Sequence, residues 1–465
     1  MTLRHDRTLQ TTTTPIPGLV LVDLPVPGDG RGWFKENWQR EKLLALGLPD
    51  LGPVQNNISF NDAAGTTRGI HAEPWDKYVS VATGRIFGAW VDLRHGPTFG
   101  AVFTAELDAS QAILVPRGVG NSYQTLEPGT AYAYLVNDHW SPDAAYTFLN
   151  LADETAAIDW PIPLEEAEIS AKDLAHPRLA DVVPMRGRRT LVLGGDGQLG
   201  RALRAVLPDA EFTTRADLDL ARPGSWPPRR WRDYAAIVNA AAYTAVDAAE
   251  TPEGRRDAWA VNVTGVAELA RVATANRITL VHVSSDYVFD GTVDEHREDE
   301  PASPLGVYGQ TKAAGDAIVG TVPDHYVVRT SWVIGDGGNF VRTMASLAER
   351  GVDPAVVDDQ VGRLTFATEI ARAIAHLLAV RPAPGTYNVS NDGDPVSWAD
   401  VARQVFAATG HDPARVTGTT TAAYFAGRAG IAPRPLRSTL DLARIRATGF
   451  EPQQQDAALV RYLTS

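Results

Sequence analysis

Tyr308 and Lys312 stand four apart in Tyr308-Gly-Gln-Thr-Lys312, inside a stretch (301–319) that reads as helical. Four residues are about one helical turn, so the phenol and the ammonium share a face. Placed this way they can pass a proton to a carbonyl. A phenol of ordinary pKa is a poor acid at neutral pH. Bringing it from about 10 to about 7 is worth roughly 4 kcal/mol, which a nearby ammonium and the charge of a nicotinamide would supply. Ser285 follows an apolar run at 278–284 that reads as a strand, and its hydroxyl can meet the same carbonyl. Serine, tyrosine and lysine in this order predict hydride transfer.

A hydride donor has to be held, and Leu191-Val-Leu-Gly-Gly-Asp-Gly-Gln-Leu-Gly200 offers the holder. Residues 190–193 suit a buried parallel strand. Gly194 turns the chain, Gly197 admits a pyrophosphate, and Gly200 lets the following helix pack close; the N-terminus of that helix faces the phosphates. The elements beyond alternate as βαβ units do. Helices are expected at 198–207, 255–275, within 301–319 and at 366–380. Strands are expected at 235–239, 278–284 and 326–333. This predicts an α/β, Rossmann-type domain over 189–465.

The preceding part of the chain reads differently. After a polar, loose start (1–14), short apolar runs at 18–24, 76–82, 85–93, 102–107, 112–115 and 130–136 are separated by turn residues. That spacing predicts an all-β sandwich or barrel. A short basic link, 184–188, divides it from the α/β part, so the domains are expected at 1–183 and 189–465.

Composition narrows the function. The chain has 465 residues, a net charge of -13 and no cysteine. Disulfides, thiolate metal sites and a cysteine nucleophile are excluded. The acidic balance and the lack of a basic stretch argue against a nucleic-acid partner. No signal-peptide pattern opens the sequence and no apolar run reaches membrane length, so a cytoplasmic protein without a membrane partner is expected.

Two resemblances join these readings. Asp29-Gly-Arg-Gly-Trp-Phe-Lys-Glu36, Gln55-Asn-Asn-Ile-Ser59, Arg68-Gly-Ile-His71, Lys77, Pro116-Arg-Gly118, Tyr132 with Tyr134, and Ser170-Ala-Lys-Asp173 occur in an order that resembles the dTDP-4-dehydrorhamnose 3,5-epimerase family, a cupin-like jelly roll. The resemblance implies His71 as base, Asp173 as the carboxylate that orients it, Tyr134 as the acid on the opposite face and Lys77 as the enolate-stabilising cation. It also implies that Arg31, Phe34, Glu36, Gln55, Asn57 and Arg68 hold the nucleotide or sugar. Asn121 stands where that family has a second histidine, facing substrate; Ala72-Glu73 stand where it has an aromatic residue and glutamine. With no His-x-His plus carboxylate set, no metal is expected.

The second half resembles dTDP-4-dehydrorhamnose reductase, an extended short-chain dehydrogenase. The glycine turn, Asn239-Ala-Ala-Ala-Tyr-Thr-Ala-Val-Asp-Ala-Ala-Glu250, Ser285-Asp-Tyr-Val288, Tyr308 to Lys312, Arg329-Thr-Ser-Trp332 and Val357 to Gly362 carry the likeness. It implies NADPH or NADH on Gly194, Asp196, Gly197, Gln198, Leu199, Asp219, Ala241, Ala242, Tyr243 and Lys312, with Asp286, Tyr287 and Trp332 toward the sugar. Arg215 is a candidate for a cofactor 2′-phosphate, and Glu250 reads as a solvated helix start.

Together the halves imply a fused enzyme that epimerises a dTDP-4-keto-6-deoxy sugar at C3 and C5 and then reduces C4, giving dTDP-L-rhamnose. A homodimer is implied by the first family. Two alternatives stay open: a reductase whose barrel only binds or assembles, and an epimerase acting on one carbon toward another dTDP-6-deoxysugar.

Overall fold

A computed structural model describes residues 7–464. The chain divides into two compact units, Met1–Gly187 and Arg188–Ser465. Residues 184–187 pack on the first unit. The Met185 N–H donates to Leu93 O, its carbonyl accepts from His95 N, and its side chain is buried.

The first unit is two antiparallel sheets. One runs Gln10–Thr13, Val20–Asp23, Gln111–Val115, Lys77–Thr83, Thr130–Val136, Gln55–Asn61. The other runs Thr147–Phe148, Thr67–Ala72, Val119–Thr125, Ile86–Asp92, Val102–Leu107. Alternating side chains from both, including Val79, Val81, Ile113 and Tyr132 of the first and Ile86, Trp90, Val119 and Tyr123 of the second, share one core. This is the period-2 pattern of a sheet buried on one face. The expectation of a loose start is corrected at Gln10–Thr13, which pairs antiparallel with Val20–Asp23; residues 1–6 lie outside the described residues. Three strands carrying candidate site residues, Gln55–Asn61, Thr67–Ala72 and Val119–Thr125, had no strand signal in the sequence reading.

The second unit is built on a parallel six-stranded sheet in the order Glu211–Thr213, Arg189–Leu193, Tyr234–Asn239, Thr279–Ser285, His325–Thr330, Gly385–Asn388. The chain order reverses beside Arg189–Leu193, which puts a crevice past the carboxyl ends of that strand and of Tyr234–Asn239. Helices Gln198–Val206 and Ala367–Val380 contribute to one buried cluster with Val192, Val238, Val281 and Val328. Val266–Asn276 contributes to a second with Leu191, Ile237 and Leu280. A third cluster gathers Val341, Phe366, Val405, Phe406 and Leu459.

Two expected elements are interrupted. The helix expected over 255–275 is α over Pro252–Trp259, π over Ala260–Gly265 and α again over Val266–Asn276. The wide turn lets Asn262 bond out of the helix: its amide accepts from Tyr243 N (2.9 Å) and donates to Tyr243 O (3.1 Å) and Thr311 Oγ1 (3.0 Å). The strand expected over 326–333 stops at Thr330, since Trp332 takes φ +43°. That conformation ends a strand and turns the indole aside.

Candidate active sites

In the first unit a cavity of about 810 Å³ is lined by Gln55, Asn57, His71, Glu73, Tyr134, Trp140, Phe148 and Lys172, among others. His71 comes from Thr67–Ala72, and Tyr134 from the facing sheet. The Ser170 hydroxyl caps the helix Ala171–Leu174 by accepting from Asp173 N (3.1 Å), and that short helix brings Asp173 beneath His71. His71 Nε2 lies 2.9 Å from Asp173 Oδ1, and Asp173 Oδ2 accepts from Gly69 N (3.4 Å). Burial pushes the Asp173 carboxyl up, but the His71 hydrogen bond and charge, with the Gly69 N–H and the His176 charge, together hold the group below its ordinary value. The remaining imidazole nitrogen, Nδ1, is the one available as a base.

Tyr134 keeps its proton. Burial and the Glu73 charge both push its phenol up. A protonated phenol across the cavity from an imidazole is the acid–base pair that inversion beside a ketone needs. Lys77, 5% exposed, is ion-paired with Glu73, and its Nζ sits 5.4 Å from the Tyr134 ring centroid. The second oxygen of Glu73 is buried and has no hydrogen-bond partner among the described residues.

The other residues of the sequence reading divide between this cavity and other places. Gln55 and Asn57 line the cavity, and Gln55 Nε2 donates to Asn57 Oδ1 (2.9 Å). Asn121 is buried opposite His71, its Oδ1 accepting from Trp90 Nε1 (2.9 Å) and Tyr132 OH (3.0 Å). Its carbonyl end is therefore committed to the core. Tyr132 stacks on Tyr123 at 4.1 Å and belongs to that core. Arg68 is exposed and meets Asn61 Oδ1 at 3.4 Å. Arg31 pairs with Asp29 (2.6 Å) in solvent. Phe34 and Glu36 line a separate hollow of about 190 Å³ with Lys42 and Tyr78. The structure does not bring Arg31, Phe34, Glu36 or Arg68 to the lining of the His71 cavity.

Sequence reasoning missed His176. Its ring lies 5.2 Å from that of His71 and stacks on Phe148 at 4.7 Å. Its nitrogens are buried, Nε2 lying 3.8 Å from Asp173 Oδ1, and burial, then the neighbouring His71, lower its pKa. His71, Asp173 and His176 offer ligand atoms within 4.8 Å of one another. The expectation of no metal rested on the lack of a His-x-His plus carboxylate set, and this group is assembled instead from a strand and a segment about a hundred residues later. The usable signal was Asp173-Leu-Ala-His176, a carboxylate and an imidazole three residues apart where the helix Ala171–Leu174 ends.

In the second unit a cavity of about 750 Å³ opens at the crevice. Gly194, Asp196, Gly197, Gln198, Leu199, Asp219, Ala241, Ala242 and Tyr243 line it, together with Ser285, Asp286, Tyr287, Tyr308, Lys312 and Trp332. All of the sequence-predicted residues of this half therefore meet at one place. Gly194 has φ +77°, and a Cβ there would lie 2.9 Å from Ala241 N. A Cβ on Gly200 would lie 2.1 Å from Gly194 O. No side chain caps the helix Gln198–Val206, so its first N–H groups face the cavity. Uncapped donors, a cradle without Cβ atoms and a cavity of this size fit a dinucleotide pyrophosphate. Asp219 lines the far end, held by Ala221 N (3.0 Å) and Arg222 Nε (3.0 Å), with Arg215 at 3.6 Å.

Tyr308 and Lys312 lie on the helix Val307–Val319. Glu250 caps that helix, accepting from Val307 N (2.8 Å), which corrects its reading as a solvated helix start. Burial pushes the Tyr308 phenol well up, the opposite direction from the sequence expectation. Lys312 does not offset this: it donates to Val283 O (2.7 Å) and lies 3.2 Å from His282 Nε2, while burial brings its own pKa down to about 8. Ser285 Oγ accepts from Tyr287 N (3.2 Å) and donates to Asp286 Oδ1 (3.0 Å), and burial raises Asp286 to about 6. Trp332 stacks on Trp398 at 3.8 Å. Trp332 and Tyr287 also line an adjoining hollow of about 510 Å³ with Phe340, Tyr424, Phe425, Arg434 and Ser438, to none of which the sequence reading gave a role.

Known families match both halves. Residues 13–181 match the family dTDP-4-dehydrorhamnose 3,5-epimerase, and residues 188–465 match the RmlD substrate binding domain. The first half is similar to a Streptococcus pyogenes protein named as an RmlC homolog, 51% identical over 178 residues, which are 37% of this chain and 89% of that protein. The second is similar to dTDP-4-dehydrorhamnose reductase of Streptomyces griseus, 40% identical over 57% of this chain and 89% of the relative. It also superposes on the Bacillus anthracis dTDP-4-dehydrorhamnose reductase crystallised with NADP, with a TM-score of 0.53, 28% identity, and coverage of 60% of this chain and 99% of that one.

Proposed function

From a chain that belongs to the dTDP-4-dehydrorhamnose 3,5-epimerase family over its first part and to the RmlD substrate binding domain family over its second, we propose a bifunctional enzyme of dTDP-L-rhamnose formation. It epimerises dTDP-4-dehydro-6-deoxy-D-glucose at C3 and C5 and then reduces the C4 ketone with NAD(P)H. The observation that carries this reading is the presence, in one chain, of a His71–Asp173 pair facing Tyr134 and of Ser285, Tyr308 and Lys312 at a dinucleotide cradle. The first unit is read as a cupin-like jelly roll and the second as a Rossmann-type extended short-chain dehydrogenase.

In the epimerase site the C4 ketone makes the neighbouring C–H bonds acidic. His71 removes the proton on its own face, its charge in the transition state balanced by Asp173. Lys77 stabilises the enolate oxygen, shared with Glu73 in the resting site. Tyr134 returns a proton from the other face, and burial keeps that proton on its oxygen until then. Gln55, Asn57 and Trp140 hold the sugar nucleotide at the cavity mouth.

In the reductase site the nicotinamide, when bound, supplies the hydride. The first turn of Gln198–Val206 and the Gly194–Gly197 cradle hold the pyrophosphate, with Asp219 toward a ribose. Tyr308, held protonated by burial, gives its proton to the ketone oxygen while Ser285 orients the same oxygen. Tyr287 and Trp332 present the sugar, and the adjoining aromatic hollow with Arg434 receives the nucleotide end.

The deciding experiment omits the nicotinamide. dTDP-4-dehydro-6-deoxy-D-glucose is incubated with the full chain in D2O, and C3 and C5 are read by NMR. Deuterium at both carbons is expected, followed by one equivalent of NADPH oxidised when cofactor is added. Exchange at a single carbon would favour an enzyme of another deoxysugar. No exchange, with reduction of a supplied L-lyxo ketosugar intact, would make the first unit a passive module.

A further inference from the structure

His176 is a buried imidazole that the epimerisation as described does not use. Its place is fixed from several sides. The buried Asn150 amide donates to Leu174 O (2.9 Å) and His176 O (3.0 Å), and Asn150 N donates to Pro177 O (2.9 Å). One asparagine thus holds the turn that carries the ring. The ring stacks on Phe148 at 4.7 Å and meets the His71 ring edge-on at 5.2 Å. This sets His176 Nε2 3.8 Å from Asp173 Oδ1, the same oxygen that lies 2.9 Å from His71 Nε2. Two nitrogens and one oxygen therefore lie within 4.8 Å of one another. Ligands about 2.0–2.2 Å from one zinc ion lie roughly 3.3–3.6 Å apart, so side-chain shifts on the order of 1 Å would close this triangle on an ion. The other Asp173 oxygen accepts from Gly69 N (3.4 Å), which keeps Oδ1 toward both rings. Two imidazoles with one carboxylate suit zinc-like ions, whereas magnesium and calcium prefer oxygen sets. The His71 side chain is 34% exposed at the cavity, which gives an ion a way in. Lys172, the neighbouring cation, is exposed to solvent.

We propose that His71, Asp173 and His176 form a binding site for a zinc-class divalent cation, and that an ion bound there switches the epimerase off. The site rests on its own geometry, while its effect rests on the epimerase reading of the first unit. In that reading the base is His71 Nδ1, left free because the Nε2 N–H is given to Asp173. A coordinated ion takes the lone pair of Nε2. The neutral ring then carries its single proton on Nδ1, toward the substrate, where it can no longer accept one. That proton moves from Nε2 to Nδ1 through solvent, so the ring neither gains nor loses one. Asp173 is drawn to the ion at the same time and no longer balances an imidazolium. Ketone reduction is spared, because the reductase cavity is lined by residues of the other unit alone.

The test titrates the full-length chain, stripped of metal, with zinc by calorimetry and with cobalt(II) by visible absorption. Both ions should bind at a site that His176→Phe and His176→Leu abolish, since neither side chain can coordinate. His176→Phe keeps a ring against Phe148, and circular dichroism identifies which variant is folded. In the wild type, saturating zinc should slow deuterium exchange at C3 and C5 by on the order of 10²-fold or more, the contribution of a general base. EDTA should restore exchange, and reduction of a supplied L-lyxo ketosugar should hold throughout. In a folded His176 variant, exchange should no longer respond to zinc. A wild type that binds neither ion, or folded variants that bind zinc and are inhibited as the wild type is, would overturn the site. Zinc bound there with exchange undiminished would overturn the switch. A wild type without exchange even in EDTA refutes the epimerase reading, while calorimetry and the cobalt spectrum still decide the site.

Discussion

Asp173 shows how one side chain sets the chemistry of another. It is buried, yet its carboxyl stays below its ordinary value of 3.8: desolvation pushes it up, and the His71 hydrogen bond and charge together with the Gly69 hydrogen bond and the His176 charge outweigh that push. A folded-state value below the unfolded one means that the stabilisation is complete above pH 3.8 and is lost as pH falls through the lower folded value. Asp173→Asn should therefore flatten the acid side of the first unit's unfolding curve, read by circular dichroism. It should also slow deuterium exchange at C3 and C5 by roughly 10²- to 10⁴-fold, as expected when a base loses its orienting carboxylate. A variant that exchanges at the wild-type rate would remove Asp173 from the mechanism. His176 differs in kind: its buried ring has Nε2 3.8 Å from Asp173 Oδ1, and burial, then the His71 charge, lower its pKa.

At the scale of elements, the second unit was legible and the first was half hidden. Strands such as Thr279–Ser285 are apolar runs with helices after them, and the glycine spacing announces the turn. In the first unit the alternation is inverted where the site lies. Gln55, Asn57 and Ser59 face inward, while Ile58 and Phe60 of the same strand face out. Val119–Thr125 buries Asn121, Ser122 and Gln124 because each finds a partner, such as Ala89 O for Ser122 and Ile162 O for Gln124. Sequence periodicity counts apolar residues, so a strand with a polar interior leaves no signal. Trp332 was legible by type, but not the left-handed backbone that turns it onto Trp398. The glycine cradle gives a test at this scale. In Gly200→Ala the new Cβ would meet Gly194 O at 2.1 Å and Gly195 Cα at 2.7 Å, both backbone atoms of the phosphate turn. Overpacking of this sort costs about 1–3 kcal/mol. The melting temperature of the second unit and its NADPH affinity should fall together, measured by calorimetry and titration, while deuterium exchange by the first unit is untouched. Unchanged NADPH binding would mean that the cradle does not hold the pyrophosphate.

For the whole molecule, what the His71 cavity lacks is as informative as what it holds. Arg31, Phe34 and Glu36 resemble substrate-holding residues of the epimerase family, yet they line no part of that cavity in their own chain. Phe34 is 67% exposed, and Ile58 and Phe60, on the edge strand that carries Gln55 and Asn57, are 67% and 61% exposed. Large apolar side chains grouped on a sheet edge are what an interface covers. We propose that a second copy of the chain covers this face and that its Arg31, Phe34 and Glu36 complete the site. The two activities should then respond differently to one substitution. Phe60→Asp puts a charge where the edge strand would be covered, so light scattering should report a monomer where the wild type is a dimer. Deuterium exchange should fall by on the order of tenfold or more, in line with losing about 1.4 kcal/mol or more of substrate binding. Reduction of a supplied L-lyxo ketosugar should hold, because its cavity is built within Arg188–Ser465. A wild-type chain that is monomeric at assay concentration and exchanges at full rate would show that each first unit works alone, and Arg31, Phe34 and Glu36 would lose their assigned role.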